Sequence, residues 1–256
     1  MLEAIIILFL LGLSFGSFLN VCAYRIPRGM SVASPGSFCP KCGHELGWTE
    51  LVPVLSFMLQ KGKCKHCNGN ISYRYPIIEF ISGFMTVFIF LKYGLTEQFI
   101  IVSIFLFLML LISVIDWEHL LIPNIIIVAG LAGGVILKSL IEPSQILNAI
   151  GGSLLAAGSL AIIRFAGNTI YKKETMGIGD IKLAAVIGLF LGIGYFLLAL
   201  WIAAIGGAVY GAVKKVMQSN DQAPNKIPFG SFLAIASGII IIFNHTISNL
   251  WSTLIH

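Results

Sequence analysis

The chain has 256 residues, of which 57% are hydrophobic and only 11% charged, and its mean hydropathy is +0.94. Soluble domains carry about 25% charged residues, so this chain lacks the polar groups to cover a globular surface, and it is too apolar to be disordered. Sixteen basic against eleven acidic residues give a net charge of +5, but at this hydropathy a basic excess marks membrane orientation rather than a nucleic-acid footprint.

A hydrocarbon core about 30 Å thick needs roughly 20 apolar helical residues. In chain order the apolar runs predict spans near 4–24, 77–93, 98–115, 122–140, 146–165, 181–197, 199–217 and 229–250. The first run lacks a basic n-region and is expected to be a retained span. Separators include Lys92-Tyr93-Gly94, Glu142-Pro143-Ser144, residues 168–174, and 218–226 with Pro224. Gly192-Ile193-Gly194 suggests a turn between two short helices, the alternative being one long tilted helix. With eight spans and the N-terminus outside, fourteen of the sixteen Lys and Arg fall on the inner side, and only Lys92 and Lys138 stay at outer edges. Merging 181–217 into one span would move Lys214, Lys215 and Lys226 outside, so eight spans fit the positive-inside rule better. The expected architecture is an all-α polytopic membrane protein. It comprises a first span (1–24), a cytosolic zinc-ribbon-like domain (25–75) and a helical membrane body (76–256).

The inner segment holds Cys39-Pro40-Lys41-Cys42-Gly43 and Cys64-Lys65-His66-Cys67-Asn68-Gly69, with 21 residues between the pairs. Two C-x-x-C knuckles supply four thiolates for tetrahedral zinc, and Gly43 and Gly69 suit the turn after each pair. Two disulfides are the alternative, disfavoured in a reduced cytosol. A four-thiolate site is closed, so its expected role is folding the loop. His44 and His66 read as exposed or supporting residues rather than ligands, and Cys22 as a small buried residue.

Of the eleven acids, only Glu79, Asp116, Glu118 and Asp180 fall at or just inside the cytosolic ends of spans. Ionisable residues in spans are costly and tend to be functional. Asp116 closes the third span, followed by Leu120-Leu121-Ile122-Pro123-Asn124, with Pro123 expected in the first turn of the next helix. Asp180 follows Met176-Gly177-Ile178-Gly179, glycines that would leave an extended backbone open to another strand. The plainer readings are a helix N-cap for Asp180 and a boundary charge for Asp116. Brought together, the two would form an aspartyl pair sharing a proton, with Asp180 the expected base because a helix N-terminus favours its ionised form. Glu79 is expected to pair with Arg74 or Lys182. Glu118, His119 and His245 are assigned no role.

Gly177-Ile178-Gly179-Asp180 is similar to the GxGD pattern of membrane-embedded aspartyl proteases. Gly16-Ser17-Phe18-Leu19-Asn20-Val21 with Arg25-Ile26-Pro27 resembles the N-terminal motif of type IV prepilin leader peptidases. The two cysteine pairs, Ser72-Tyr73-Arg74-Tyr75-Pro76 with Glu79, Met176 to Leu183, and Ile227-Pro228-Phe229-Gly230 complete the set in the family's order. The resemblance implies a bacterial inner-membrane enzyme that removes the basic leader of prepilins or pseudopilins on the cytosolic side. It also implies N-methylation of the new N-terminus with S-adenosylmethionine. By motif, Asp116 and Asp180 are carried over as the catalytic pair, and Cys39, Cys42, Cys64 and Cys67 as zinc ligands. No glycine-rich loop after a strand points independently to S-adenosylmethionine. Partners are then the pilin-like substrates and the bilayer, not nucleic acid, with the oligomeric state left open. A transporter is the competing class, but transporters place polar groups at mid-bilayer. Asn124 stands where many relatives carry Asp, and Ser231 where Pro is common; neither is expected to touch the two aspartates.

Overall fold

A computed structural model describes residues 1–217 and 227–255, with side chains up to 243. The expected turn at 218–226 and the side chain of His245 lie outside the described residues. Eight α-helices are present among these residues: α1 (Leu2–Arg25), α2 (Leu55–Leu59), α3 (Arg74–Tyr93), α4 (Glu97–His119), α5 (Asn124–Ile141), α6 (Ile146–Tyr171), α7 (Ile178–Met217) and α8 (Phe229–Ile255). All except α2 and α8 are long and apolar enough to cross a membrane, and the described part of α8, Phe229–Phe243, is a shorter apolar helix. The chain divides into two compact units, Met1–Ser103 and Ile104–His256.

In the first unit α1 packs on α3, and glycine sets how closely they approach. A Cβ added at Gly12 would lie 2.6 Å from Thr86 Oγ1 and 2.7 Å from the Ser82 carbonyl; one at Gly16 would lie 2.7 Å from Glu79 Cα. Lipid tails provide no hydrophobic drive for helix association, so close backbone packing at small residues takes its place. The opposite face of α1 exposes Ile6, Ile7, Leu10, Leu11, Phe15 and Phe18, side chains suited to lipid.

Polar joints hold the segment between α1 and α3. The Asn20 side-chain amide donates to the Tyr75 carbonyl at 3.1 Å. Arg25 is buried. Its guanidinium donates to the carbonyls of Ser31 (3.0 Å) and Gly36 (2.7 Å) and lies 5.6 Å from the Phe38 ring centroid. Glu79 accepts the Val54 N–H at 2.7 Å and the Ser17 hydroxyl. Val54 has φ +64°, a conformation unfavourable for a β-branched residue, and this bond anchors it. The bonds found for Glu79 are thus to Val54 and Ser17, and this buried carboxylate binds loop backbone and a neighbouring hydroxyl.

In the second unit α7 packs against α6, α8 and α5. Gly152 and Gly188 bring α6 and α7 into backbone contact: a Cβ on Gly152 would lie 2.6 Å from the Gly188 carbonyl. Phe105, Ile112, Ile115, Leu183, Ile187, Phe196 and Leu233 fill the core. Over 40 residues, α7 would run about 60 Å if regular, twice the hydrocarbon thickness. Gly192 interrupts it with φ 75° and ψ 171°. The break lies at the glycines noted in the sequence, six residues before the expected boundary at 198, because a backbone conformation accessible to glycine makes it rather than a polar turn. Near the far end of α5, Lys138 and Glu142 form an i,i+4 ion pair at 2.6 Å.

The close crossing of α1 and α3 predicts that Gly16→Leu, whose side chain must displace the α3 backbone, destabilises the protein by about 1–3 kcal/mol. Gly133 has no heavy atom near its would-be Cβ, so Gly133→Ala is expected to be neutral or stabilising. Thermal unfolding of both variants in detergent checks the contrast.

Candidate active site and metal centre

Asp116 lies in the last turn of α4, and α4 ends when Leu120 turns to φ +54° while its N–H still bonds the Asp116 carbonyl at 2.9 Å. Residues 121–123 then lead to α5. Pro123 caps that helix in an extended conformation, φ −65° and ψ 132°, one position before the first turn expected for it. Asp116 is 5% exposed. Its Oδ2 accepts the backbone N–H of Ser231 at 2.7 Å, and the Ser231 hydroxyl is 3.1 Å from the same oxygen and 2.9 Å from the Ser113 carbonyl. One hydroxyl proton therefore serves two acceptors, while the N–H points only at the carboxylate.

The loop before Asp180 is tied to the end of α6. Arg164 Nε donates to the Met176 carbonyl at 2.9 Å, and its guanidinium is 3.6 Å from Glu174. Asn168 Oδ1 accepts both the N–H and the hydroxyl of Thr175, at 2.8 and 2.9 Å. Gly167 leaves room for that threonine. With residues 174–176 held, α7 starts at Ile178, and Asp180 sits in its first turn with its carboxylate accepting the Gly177 N–H. Asp180 is thus not the N-cap expected for it but the third residue of the helix, reaching back to the N–H of the capping Gly177. That bond does not exhaust the residue: Asp180 is 9% exposed and close enough to Asp116 for their charges to interact.

Ile122 locks the two halves together. A Cβ added at Gly179 would lie 3.2 Å from Ile122 Cβ, and one at Gly230 would lie 2.8 Å from Ile122 Cδ1 and 3.0 Å from Asp116 Oδ2. Both glycines are small because the Ile122 side chain passes between them. This corrects one expectation: Gly179 is helical and filled by Ile122, so it is not an open extended edge. Outside this wedge, Trp117, Tyr210 and Phe232 form an aromatic cluster with centroids 5.3 to 6.1 Å apart, and Trp117 is half exposed. Such amphipathic rings suit a membrane–water boundary.

One expectation about motif departures is overturned: Ser231, not expected to touch the two aspartates, bonds Asp116 directly. Asn124 accepts from Lys182 Nζ at 2.8 Å, tying the start of α5 to the first turns of α7. The available signal for Ser231 was a hydroxyl placed just after Pro228-Phe229-Gly230 at a helix start, where both its groups can reach a carboxylate.

The four paired cysteines converge in the first unit, with all four sulfurs within 4.8 Å of one another and Cys39 Sγ 3.9 Å from Cys67 Sγ. Each knuckle is a small hairpin. Phe38 pairs with Glu45 and Lys63 with Asn70, and the N–H groups of Cys39 and Cys64 bond the His44 and Gly69 carbonyls at 2.9 Å each. The turn residues with positive φ are Gly43 and Asn68, not Gly69. Asn tolerates that conformation, while Gly69 is small because Lys41 and the Cys67 sulfur lie against it. Backbone N–H groups of Cys67 and His66 lower the Cys64 thiol to about 7. The His44 N–H also pulls Cys42 down, but desolvation and the thiols of Cys39, Cys67 and Cys64 outweigh it and raise Cys42 to about 11. Four sulfurs this close cannot all hold charge without a cation, and the donor set fits a tetrahedral thiophilic metal. Cys22 is buried as expected.

Residues 10–93 match the family described as Bacterial Peptidase A24 N-terminal domain, and residues 103–212 match the Type IV leader peptidase family. The chain is 35% identical to a prepilin leader peptidase/N-methyltransferase of Bacillus subtilis (strain 168), covering 93% of this chain and 92% of that one. It is 29% identical to the protein of the same name from Pseudomonas aeruginosa, covering 94% and 91%. A Myxococcus xanthus protein of that name is 32% identical over 80% of this chain, which spans 62% of that relative's length. No solved structure matches the chain. The chain belongs to the type IV leader peptidase family.

Proposed function

We infer that this protein is a membrane aspartic endopeptidase. It removes the leader of type IV prepilins or pseudopilins at the cytosolic face of the bacterial inner membrane and N-methylates the residue this exposes. The observation that carries the peptidase reading is the meeting of Asp116 and Asp180, two buried carboxylates from the ends of different helices. Two buried carboxylates whose charges interact would share one proton and act as a unit. The ionised carboxylate takes a proton from water, and the resulting hydroxide adds to the scissile carbonyl carbon. The protonated carboxylate donates to the carbonyl oxygen. Collapse of the tetrahedral intermediate breaks the C–N bond, and the leaving amine takes the proton first removed from water. Ser231 fixes Oδ2 of Asp116 as an acceptor, so the shared proton resides on one of the other carboxylate oxygens.

Orientation follows from charge. Arg164, Lys172, Lys173 and Lys182 flank the Asp180 loop, and Lys214 and Lys215 end α7. If Gly192 divides α7 into two crossings, these groups share the cytosolic side, and the count returns to eight spans. The four cysteines would hold a structural zinc that closes the 25–75 segment. S-adenosylmethionine is the methyl donor that the relatives' names imply. Among the described residues there is no strand to precede a glycine-rich cradle, so no contact to it is assigned.

Incubating the purified protein with a prepilin in detergent, with and without S-adenosylmethionine, tests both activities by mass spectrometry of the product. Leader loss is expected in both reactions and an added methyl group only with the donor; an uncut prepilin overturns the peptidase. Asp116→Asn and Asp180→Asn are each expected to slow cleavage at least about a thousandfold. Ser231→Ala keeps the N–H bond and loses the hydroxyl, and a bond to a charged group is worth about 1.5–3 kcal/mol. Its kcat is therefore expected to fall about tenfold with KM little changed.

Metal binding must displace protons from the cysteine cluster, so zinc affinity is expected to fall as pH drops through 7 and below. Metal retention after dialysis across that range checks the sign. Cys39→Ser and Cys64→Ser are each expected to abolish that retention.

A further inference from the structure

Next to the four-thiolate cluster, three side chains that share no ligand with it converge. We propose that His44, Glu50 and His66 form a second metal site, an open one, for a divalent transition ion such as zinc. One ligand atom from each lies within 4.8 Å of the other two. The His44 and His66 rings face each other with centroids 3.3 Å apart, and His44 Nε2 is 4.0 Å from Glu50 Oε2. A tetrahedral ion with bonds of about 2.0–2.1 Å spaces its ligand atoms roughly 3.3 Å apart, so binding draws the ligand atoms together while the two rings swing apart until their nitrogens converge on the ion.

The second observation is Glu50 itself. Its side chain is only 6% exposed. Oε2 accepts the Gly47 N–H at 2.9 Å, whereas Oε1 is buried and accepts no hydrogen bond from the described residues. A buried carboxylate oxygen without a donor is costly, and a cation bound by the Glu50 carboxylate, whose Oε2 faces His44, would offset that cost. The backbone already holds the trio in place. His44 follows Cys42 by two residues in the first knuckle, and His66 precedes Cys67 in the second. The 3₁₀ turn Trp48–Glu50 is linked to the second knuckle by Lys65 Nζ donating to Thr49 Oγ1 at 3.4 Å. Closing the thiolate cluster therefore preorganises the second site. Two imidazoles and one carboxylate leave at least one coordination position for water, unlike the closed sulfur site.

The test uses the full-length protein in detergent, first loaded with zinc to fill the thiolate cluster, then titrated with Zn²⁺ or Co²⁺ alone. The expected result is a further equivalent of zinc whose affinity falls at least about tenfold in His66→Phe and in Glu50→Gln, while the first equivalent is retained. Phenylalanine keeps an aromatic ring at position 66, and glutamine keeps an acceptor for the Gly47 N–H, so both substitutions preserve the local packing. Cobalt gives a readout that does not depend on variants. Co²⁺ added to zinc-loaded wild-type protein should produce weak visible bands without the intense near-ultraviolet bands of sulfur ligation. Binding of only one equivalent, an extra equivalent that binds equally well in both variants, or cobalt bands showing sulfur ligation would each overturn the proposal.

Discussion

Two carboxylates that lie 64 positions apart in sequence must be held together where little water reaches them. A carboxylate inside a membrane span is costly to insert, and two of like charge repel. The structure meets this with one hydrogen-bonding residue and one apolar wedge. Ser231 directs its backbone N–H at Asp116, and Ile122 passes between Gly179 and Gly230. That wedge joins the loop after α4, the start of α7 and the start of α8. The Arg164 and Asn168 bonds to Met176 and Thr175 fix the Asp180 loop in turn, so the site depends on contacts made outside it.

The same economy of size governs helix packing. Where α1 meets α3 and where α6 meets α7, glycine brings backbones into contact, a device suited to a solvent that does not drive apolar faces together. Of the polar side chains buried in the first unit, Ser82 and Thr86 sit within the helix packing, with Thr86 bonding the Ser82 carbonyl, and the other three serve the loop. Asn20, Arg25 and Glu79 each bond main-chain groups between 31 and 75. Conspicuous motif residues can therefore have structural work alone, and position in a motif does not by itself assign chemistry.

Spans and cysteine knuckles were legible in the sequence because their signals are local: runs of apolar residues, and pairs at fixed spacing. The placing of Asp116 near the end of α4 and of Asp180 near the start of α7 came from the same local reasoning. Less legible was the break in α7, where a single glycine conformation at 192 counts for more than the composition around it. The partners of Ser231 and Ile122 were not legible, because they lie 115 and 57 or more residues away and no periodicity records such pairings. The contact between His44 and His66 was hidden for the same reason, since it exists only once the two knuckles have closed.

The central claim is that Asp116 and Asp180 act as one catalytic unit. The most direct measurement compares the cleavage rate of the Asp116→Asn/Asp180→Asn double variant with that of each single variant on the same prepilin. Groups that act as a unit are strongly non-additive, so the account predicts a double variant about as slow as either single one. Losses that multiply, or a single variant that still cuts at near the wild-type rate, would contradict it.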